Sequence, residues 1–401
     1  MCQQLLDALL LPPAPPVEEE RPERSSKPDP AQDRAAEHRG SAFQLQAGPG
    51  TGKKRTLAKR VLSLLREGAD SGSILVLTFS NRAAGELSER LTAILPEEAQ
   101  RLWIGTFHAF GLDLIRRYHH KLDLPSDPTL FDRSDAIEVL EEILPTLPLV
   151  HYRNLWDPAM VLRDIVSTIS RAKDELVDAD HYRVLAQAMQ DRATDEESQE
   201  RAAKALEVAQ LYGIYQRELR TRRSVDFGDL IMRPTLLLEG DVAVRTAIRL
   251  RHRHVLVDEY QDVNRASARL LRALAGEGRR LWVVGDARQS IYRFRGASSI
   301  NMARFAQEYP EAVSDRLSVN YRSSQEIVDE FEVVAPHMGA SQGMLPLTSR
   351  PTMVALESTR NCFASIRPTT RQPVSQQVSA TSKAPVYAFA IKLCSAVPMH
   401  A

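Results

Sequence analysis

The sequence predicts an α/β protein in which one parallel sheet is interrupted by an all-helical segment. Over residues 41–118, short β-rich runs alternate with helical runs, and this alternation returns after residue 223. Such a strand–helix–strand rhythm is typical of a parallel sheet. Between the two stretches, residues 119–223 show helical periodicity alone. We therefore expect a helical insertion within a single sheet domain.

The individual elements follow from local patterns. In the first stretch we expect strands at residues 42–46, 74–78 and 103–106. Helices at residues 53–67 and 83–94 separate these strands, because apolar residues recur there at helical spacing. In the second stretch we expect strands at residues 254–257, 281–284 and 317–320.

Composition excludes several classes of protein. An apolar share of 43% over 401 residues is enough for hydrophobic cores, so the chain is not wholly disordered. Its 52 basic and 52 acidic residues exclude a polybasic protein, although local stripes can still bind nucleic acid. No run of about 18 apolar residues is present, so we expect no membrane partner. Three scattered cysteines, Cys2, Cys362 and Cys394, predict neither a disulfide framework nor a metal cluster, as in a reducing cytoplasm.

Both ends of the chain differ in composition from the middle. Residues 1–30 are rich in Pro, Glu, Arg and Ser and predict a flexible leader. After Arg350 there is one acidic residue, Glu357, against five basic residues, and no periodicity is sustained. Two hypotheses account for residues 349–401: a disordered tail, or an out-of-frame or foreign extension of a truncated gene. Reading the other frames near codon 349 would distinguish them.

A glycine-rich turn joins the first predicted strand to the first predicted helix. It consists of Ala47, Gly48, Pro49, Gly50, Thr51, Gly52, Lys53 and Lys54. Glycines let successive backbone N–H groups point inward, and a lysine at the position of Lys53 reaches the β- and γ-phosphates of a nucleotide. The turn therefore predicts a phosphate loop, the alternative being a glycine-rich turn with a lysine by chance. Lys54 departs from the pattern, because Ser or Thr normally ligates Mg²⁺ there, and Thr56 lies on another side of the helix.

Two adjacent carboxylates follow the predicted strand at residues 254–257. An apolar strand that ends in Asp258 and Glu259 forms a Walker B arrangement. In this interpretation Asp258 holds Mg²⁺ and Glu259 is the general base that polarises the attacking water. The alternative is a solvated loop, which the phosphate loop in the same chain makes less favourable.

The order of motifs resembles superfamily 1 DNA helicases of the UvrD/Rep type over roughly residues 30–347. The matching segments are AGPGTGKK, LTFSNRAAGELSERL, GTFHAFGLDLIRRY, VDFGDLI, VLVDEYQDVN, VVGDARQSIYRFRGAS and LSVNYRSSQEIV. The resemblance implies a RecA-like P-loop NTPase fold, with ATP between two motor domains. On this basis residues 31–118 and 224–312 form the first motor domain and residues 119–223 its helical insertion. Residues 313–348 then begin an incomplete second motor domain.

The resemblance also implies roles in nucleotide binding. Gln32 is similar to a glutamine that recognises adenine, the alternative being a leader glutamine without this role. Gln289 is similar to the sensor of the γ-phosphate. Tyr321 is similar to a ring that stacks on adenine, and Arg322 to an arginine that stabilises γ-phosphate charge.

A second set of residues resembles contacts to single-stranded DNA. These are Thr78, Phe79, Asn81, Thr106, Phe107, His108, Tyr292 and Phe294. Single-strand binding combines base stacking on aromatic rings with polar and charged contacts to the backbone, which suits aromatic residues at strand ends. Core packing is the alternative for Phe107, and it is the interpretation that we favour for Phe110. A helix-capping or supporting role is the alternative for His108.

The predicted function is an ATP-dependent DNA helicase or translocase in truncated form, with ATP and Mg²⁺ as cofactors. The resemblance implies movement in the 3′-to-5′ direction on single-stranded DNA or a 3′-tailed duplex, in a bacterial cytoplasm. One alternative is a helicase fragment that binds nucleotide and DNA without motor activity, which Lys54 and the incomplete second domain favour. A nuclease-coupled recombination enzyme of the same superfamily is a weaker alternative, because no nuclease motif follows.

Overall fold

The computed structural model describes residues 29–143, 149–152, 158–290, 300–338 and 350–351. The helices are α1 (Pro30–Glu37), α2 (Lys53–Arg66), α3 (Asn81–Ile94), α4 (Pro96–Ala99), α5 (Phe107–Arg117), α6 (Arg133–Ile143), α7 (Pro158–Asp174), α8 (Ala179–Asp191), α9 (Glu196–Thr221), α10 (Asp229–Gly240), α11 (Val242–Arg251), α12 (Arg265–Ala275), α13 (Ile300–Glu308) and α14 (Gln325–Val334). The strands are β1 (Phe43–Ala47), β2 (Ile74–Thr78), β3 (Trp103–Thr106), β4 (Thr129–Phe131), β5 (Ser224–Asp226), β6 (His254–Val257), β7 (Leu281–Gly285), β8 (Val313–Leu317), β9 (Val319–Asn320) and β10 (Arg350–Pro351). None of the described helices is long and apolar enough to cross a membrane.

The main sheet has six parallel strands in the order β3-β2-β6-β7-β1-β8. Strands β1, β2 and β7 are buried along their whole length, because helices cover both faces of the sheet. Burial on both faces explains why these strands appear in the sequence as nearly continuous apolar runs. The predicted α/β fold class is therefore confirmed.

The edge strand β8 corrects the predicted start of a second domain. Residues 313–317 pair in parallel with β1, from Phe43 opposite Val313 to Ala47 opposite Leu317, so they complete the main sheet. The sequence concealed this strand because an edge position leaves Ser314, Asp315 and Arg316 at least partly exposed, and no apolar run results. The strand predicted at residues 317–320 is in fact the end of β8 followed by β9, which pairs with β10.

The inserted segment has a hydrophobic core of its own, formed mainly by α6, α7, α8 and α9. Helix α9 begins with a capping box, in which the side chains of Asp195 and Ser198 satisfy each other's backbone N–H groups. The expectation of an all-helical insertion was incomplete. Strands β4 and β5 pair in parallel where the chain passes into and out of the insertion. Each has only three residues, too few to show strand periodicity in the sequence.

The ends of the chain are described only in part. The predicted leader lies outside the described residues except for Asp29 and Pro30, which begin α1. The predicted tail likewise lies outside them except for the two residues of β10.

A buried ion cluster fixes the insertion to the main domain. The ammonium of Lys173, on α7, lies 2.7 Å from Asp226 Oδ2 and 3.0 Å from Asp229 Oδ1. Only 1% of the Lys173 side chain is exposed, and its Nζ lies 5.5 Å from the centre of the Tyr215 ring. Burial, followed by repulsion from Asp229, raises the pKa of Asp226. Lys173 is the cation that both buried carboxylates share, and Asp229 has a second one in Arg233, whose Nε lies 3.5 Å from its Oδ1.

We expect Lys173→Met to destabilise the protein by about 3–5 kcal/mol, because the buried Asp226 loses its cation and Asp229 keeps only Arg233. Urea unfolding followed by circular dichroism measures this change. Lys204→Met is the matched control, since Lys204 pairs with Glu200 on the solvent side of α9 and its loss should barely move the unfolding midpoint. An equal loss of stability in the two variants would contradict a structural role for the cluster.

Candidate functional site

The glycine-rich turn lies between β1 and α2 in a conformation that needs glycine. Gly50 and Gly52 have φ angles of 74° and 91°, in the left-handed region that side chains disfavour. A Cβ atom at Gly50 would lie 2.5 Å from Asn320 Oδ1, and one at Gly52 would lie 2.7 Å from Gln32 Nε2. Helix α2 begins directly after the turn, so the positive end of its dipole faces the same place. The turn therefore has the geometry of a phosphate loop.

Lys53 joins the turn to two predicted site residues that are distant in the sequence. Its Nζ lies 2.9 Å from Glu259 Oε2, although 206 residues separate the two. The same Nζ lies 3.5 Å from Gln289 Oε1. The structure thus brings together the predicted phosphate-binding lysine, the predicted general base and the predicted γ-phosphate sensor.

The two carboxylates after β6 have different environments. Asp258 is 2% exposed, and burial, with repulsion from Glu259, raises its pKa to about 6. Burial also acts to raise the pKa of Glu259, but the charge of Lys53 and a hydrogen bond from Gln261 outweigh it and hold this pKa below its ordinary value. Glu259 has a φ of 49°, a left-handed conformation that turns the chain sharply after the strand. At neutral pH Glu259 is therefore ionised beside the phosphate loop.

A chain of glutamine side chains extends the site along the neighbouring strand β7. Gln261 Nε2 donates to Glu259 Oε2 at 2.8 Å, and Gln261 Oε1 accepts from the backbone N–H of Asp286 at 2.9 Å. Gln289 Nε2 donates to Asp286 Oδ2 at 2.8 Å. Sequence reasoning missed Gln261, which links the predicted general base through Asp286 to the predicted sensor. A glutamine two residues after the predicted general base was the available signal.

Helix α1 carries the predicted adenine-recognition residue. Asp29 caps this helix, and the Tyr321 hydroxyl donates to Asp29 Oδ2 at 2.7 Å. Gln32 is fully buried and donates through Nε2 to the Thr51 carbonyl at 3.2 Å, so it is not part of a flexible leader. Its Oε1 is buried and has no hydrogen-bond partner among the described residues. This acceptor suits the exocyclic amine of adenine, and the residues present therefore fit ATP.

The segment that contains Tyr321 and Arg322 contacts the phosphate loop. Asn320 Nδ2 donates to the Pro49 carbonyl at 3.1 Å, and the Tyr321 N–H donates to the Gly50 carbonyl at 2.8 Å. Asn320 Oδ1 accepts from the N–H of Arg322 at 2.8 Å, which orders the start of the following turn. Asn320 was not among the predicted site residues, although it precedes them directly. The two predicted residues are therefore placed beside the loop.

Mg²⁺ does not fit the residues present as well as ATP does. Lys54 occupies the position that normally carries the hydroxyl ligand, which leaves Asp258 as the single predicted ligand. Over the described residues, no group of three or more His, Cys, Asp or Glu side chains could hold a metal ion.

Several predicted DNA contacts lie beside a cavity of about 650 Å³ between the main domain and the insertion. Thr78, Phe79, Phe107 and His108 line this cavity, whereas Thr106 caps α5 through a hydrogen bond from the Ala109 N–H. Asn81 is exposed at the start of α3. Tyr292 and Phe294 lie outside the described residues.

Two aromatic residues change the prediction for this surface. Phe107 is only 5% exposed and belongs to the hydrophobic core, so the core interpretation replaces the predicted stacking role. Phe110 is fully buried, as expected. Phe227, which we did not predict, is 51% exposed, and its ring lies 6.1 Å from that of His108. The segment VDFGDLI contained the signal, because its aromatic residue directly follows the insertion.

The strand, phosphate loop and helix, with Lys53 facing Glu259 across the same edge of the sheet, define a P-loop nucleotide-binding α/β domain. Residues 29–310 match the UvrD/REP helicase N-terminal domain. The chain belongs to this family.

Named relatives agree with this assignment. The chain is 34% identical over 315 residues to the ATP-dependent DNA helicase Rep of Salmonella typhimurium. The matched region covers 77% of this chain and 44% of that protein. It is 35% identical over 327 residues to UvrD1 of Mycobacterium bovis, covering 79% and 40% of the two chains. It is 34% identical over 301 residues to PcrA of Bacillus subtilis, covering 75% and 38%. The chain thus spans about two-fifths of the length of these curated relatives.

We expect Gln32→Ala to reduce the preference for ATP over GTP by about tenfold, because the acceptor that suits the exocyclic amine of adenine is lost. Competition of unlabelled ATP and GTP against a fluorescent nucleotide measures the preference. Gln187→Ala, on the exposed face of α8, is the control and should leave the preference unchanged. An unchanged preference in Gln32→Ala would remove its role in adenine recognition.

Proposed function

We propose that this chain is the ATP-hydrolysing part of a DNA helicase that moves 3′ to 5′ along single-stranded DNA. The observation that carries the proposal is the contact of Lys53 with Glu259 and Gln289 at one edge of the sheet. It joins a phosphate-binding cation, a general base and a γ-phosphate sensor, which together are what hydrolysis of a nucleoside triphosphate needs. The names of the relatives point to the same activity.

The residues of the chain divide the chemical work. Glu259 takes a proton from the attacking water as a new bond forms between the water oxygen and the γ-phosphorus. The bond from the γ-phosphorus to the bridging oxygen breaks, and the diphosphate leaves. Lys53 balances charge on the β- and γ-phosphates, and Arg322 approaches from the following turn. Gln32 and Tyr321 hold the adenine end.

A short segment connects the nucleotide site to the cavity beside Phe79 and Phe227. The backbone N–H of Asp258 donates to the Leu77 carbonyl at 2.9 Å, next to the predicted DNA contact at Thr78. Four residues later, Asp262 lines the cavity. Movement of the acid pair during hydrolysis can therefore reach the end of β2 at Thr78 and the cavity wall at Asp262. This supports coupling of hydrolysis to DNA movement.

A nucleotide- and DNA-binding protein without motor activity is the second candidate. It is favoured by Lys54 at the usual position of a metal ligand. Hydrolysis of ATP with and without DNA distinguishes the two candidates.

We expect oligo(dT) to stimulate ATP hydrolysis and Glu259→Gln to lower kcat by about 10²–10⁴-fold with nucleotide binding retained. Lys53→Ala should instead weaken nucleotide binding. Glu200→Gln, a matched change on the exposed face of α9, should have no effect on either quantity. Background hydrolysis with and without DNA, in a protein that binds both ligands, would leave the non-motor candidate standing.

Strand separation tests the direction of movement. A duplex with a 3′ single-stranded tail should be separated in the presence of ATP, whereas a duplex with a 5′ tail should remain paired. Separation of the 5′-tailed duplex alone would contradict the proposed polarity.

A further inference from the structure

The residue after the phosphate-loop lysine offers an ammonium where a hydroxyl is expected. Lys54 Nζ pairs with Glu86 Oε2 on α3. Glu86 also accepts from Arg82 Nε at 3.0 Å, so one carboxylate holds both cations. The contacts to these two cations, with that from Lys54 the largest, lower the pKa of Glu86. Lys54 is therefore held at the start of α2 by an ionised partner.

No hydroxyl within residues 47–56 can take the place of the missing ligand. Thr51 Oγ1 donates to the Gly48 carbonyl at 2.8 Å, and Thr56 Oγ1 donates to the Gly52 carbonyl at 3.0 Å. Both side chains are buried, and the segment contains no serine. The start of α2 therefore presents two ammonium groups and no side-chain oxygen to a bound triphosphate.

One carboxylate of the acid pair already has a protein cation as its partner. Glu259 is paired with Lys53, and Asp258 is deeply buried. Lys53 and Lys54 are the first two residues of α2, directly after the phosphate loop. A divalent cation beside Asp258 would face the repulsion of both lysines.

We infer that this site binds a nucleoside triphosphate in its metal-free form, with the ammonium of Lys54 supplying the positive charge that Mg²⁺ supplies in other phosphate loops. The inference rests on the proposed nucleotide site. Lys54 exchanges its contact with Glu86 for one with the phosphates, and Arg82 remains to neutralise Glu86. Lys53, Lys54 and Arg322 then oppose the negative charge of the triphosphate.

The test measures the affinity for a fluorescent ATP analogue by anisotropy, once in excess EDTA and once in excess Mg²⁺. We expect the full chain to bind with dissociation constants that agree within about threefold in the two conditions. Lys54→Thr should bind about tenfold more weakly in EDTA and recover in Mg²⁺, because the charge is lost and a ligand oxygen is restored. Lys54→Met should be weakened by about tenfold in both conditions.

Controls separate this inference from the proposed function. Arg90→Gln removes an exposed cation of α3 that takes no part in the proposed exchange, and it should leave both dissociation constants unchanged. Thermal melting followed by circular dichroism checks that every variant is folded. If the unmodified chain needs Mg²⁺ for binding, or Lys54→Met binds normally in EDTA, the inference is overturned and the nucleotide site stands. If the chain binds nucleotide in neither condition, the proposed function is overturned with it.

Discussion

The parallel direction of the six strands in the main sheet is the constraint on which the site depends. In a parallel sheet the carboxyl ends of all strands lie along one edge, and side chains that follow them meet there. Lys53 follows β1 and Glu259 follows β6, so a separation of 206 residues becomes a contact of 2.9 Å. Thr78 and Thr106 end β2 and β3 on the same edge. The nucleotide residues and the expected DNA residues therefore share one surface.

Sharing an edge also gives a route between the two ligands. Asp258 and Glu259 lie on the nucleotide side, Asp262 lines the cavity beside the insertion, and Gln261 between them is hydrogen-bonded to Glu259. Hydrogen bonds hold both ends of this segment, from the Asp258 N–H to the Leu77 carbonyl and from the Asp262 N–H to the Glu259 carbonyl. The buried Lys173 cluster then fixes the far wall of the cavity to the main domain. The proposed nucleotide site and the predicted DNA contacts are thus joined through packed elements.

The sequence predicted best what is buried on both sides of the sheet. Strands β2 and β6 lie inside the sheet and have the predicted bounds, because their apolar runs stop where polar residues begin. It failed where a strand is exposed or very short, as in β8 and the pair β4 and β5. At the site, the motifs predicted individual residues. They did not predict Asn320 and Gln261, because the hydrogen-bond partners of these two residues follow other strands. Phe107 is buried and Phe227 is exposed, because burial of a ring depends on the packing of α5 and the insertion, which spacing does not encode.

Replacing a metal ion by a lysine separates two tasks that a metal ion performs together. A cation neutralises phosphate charge, and an ammonium can do this at the same place. A metal ion also fixes the geometry of its ligands and lowers the pKa of bound water, which an ammonium does not. In this chain the second task falls to Glu259 alone, held by Lys53 and Gln261. Tight binding of the nucleotide and fast hydrolysis are therefore independent properties of this site, and Lys54 favours the first.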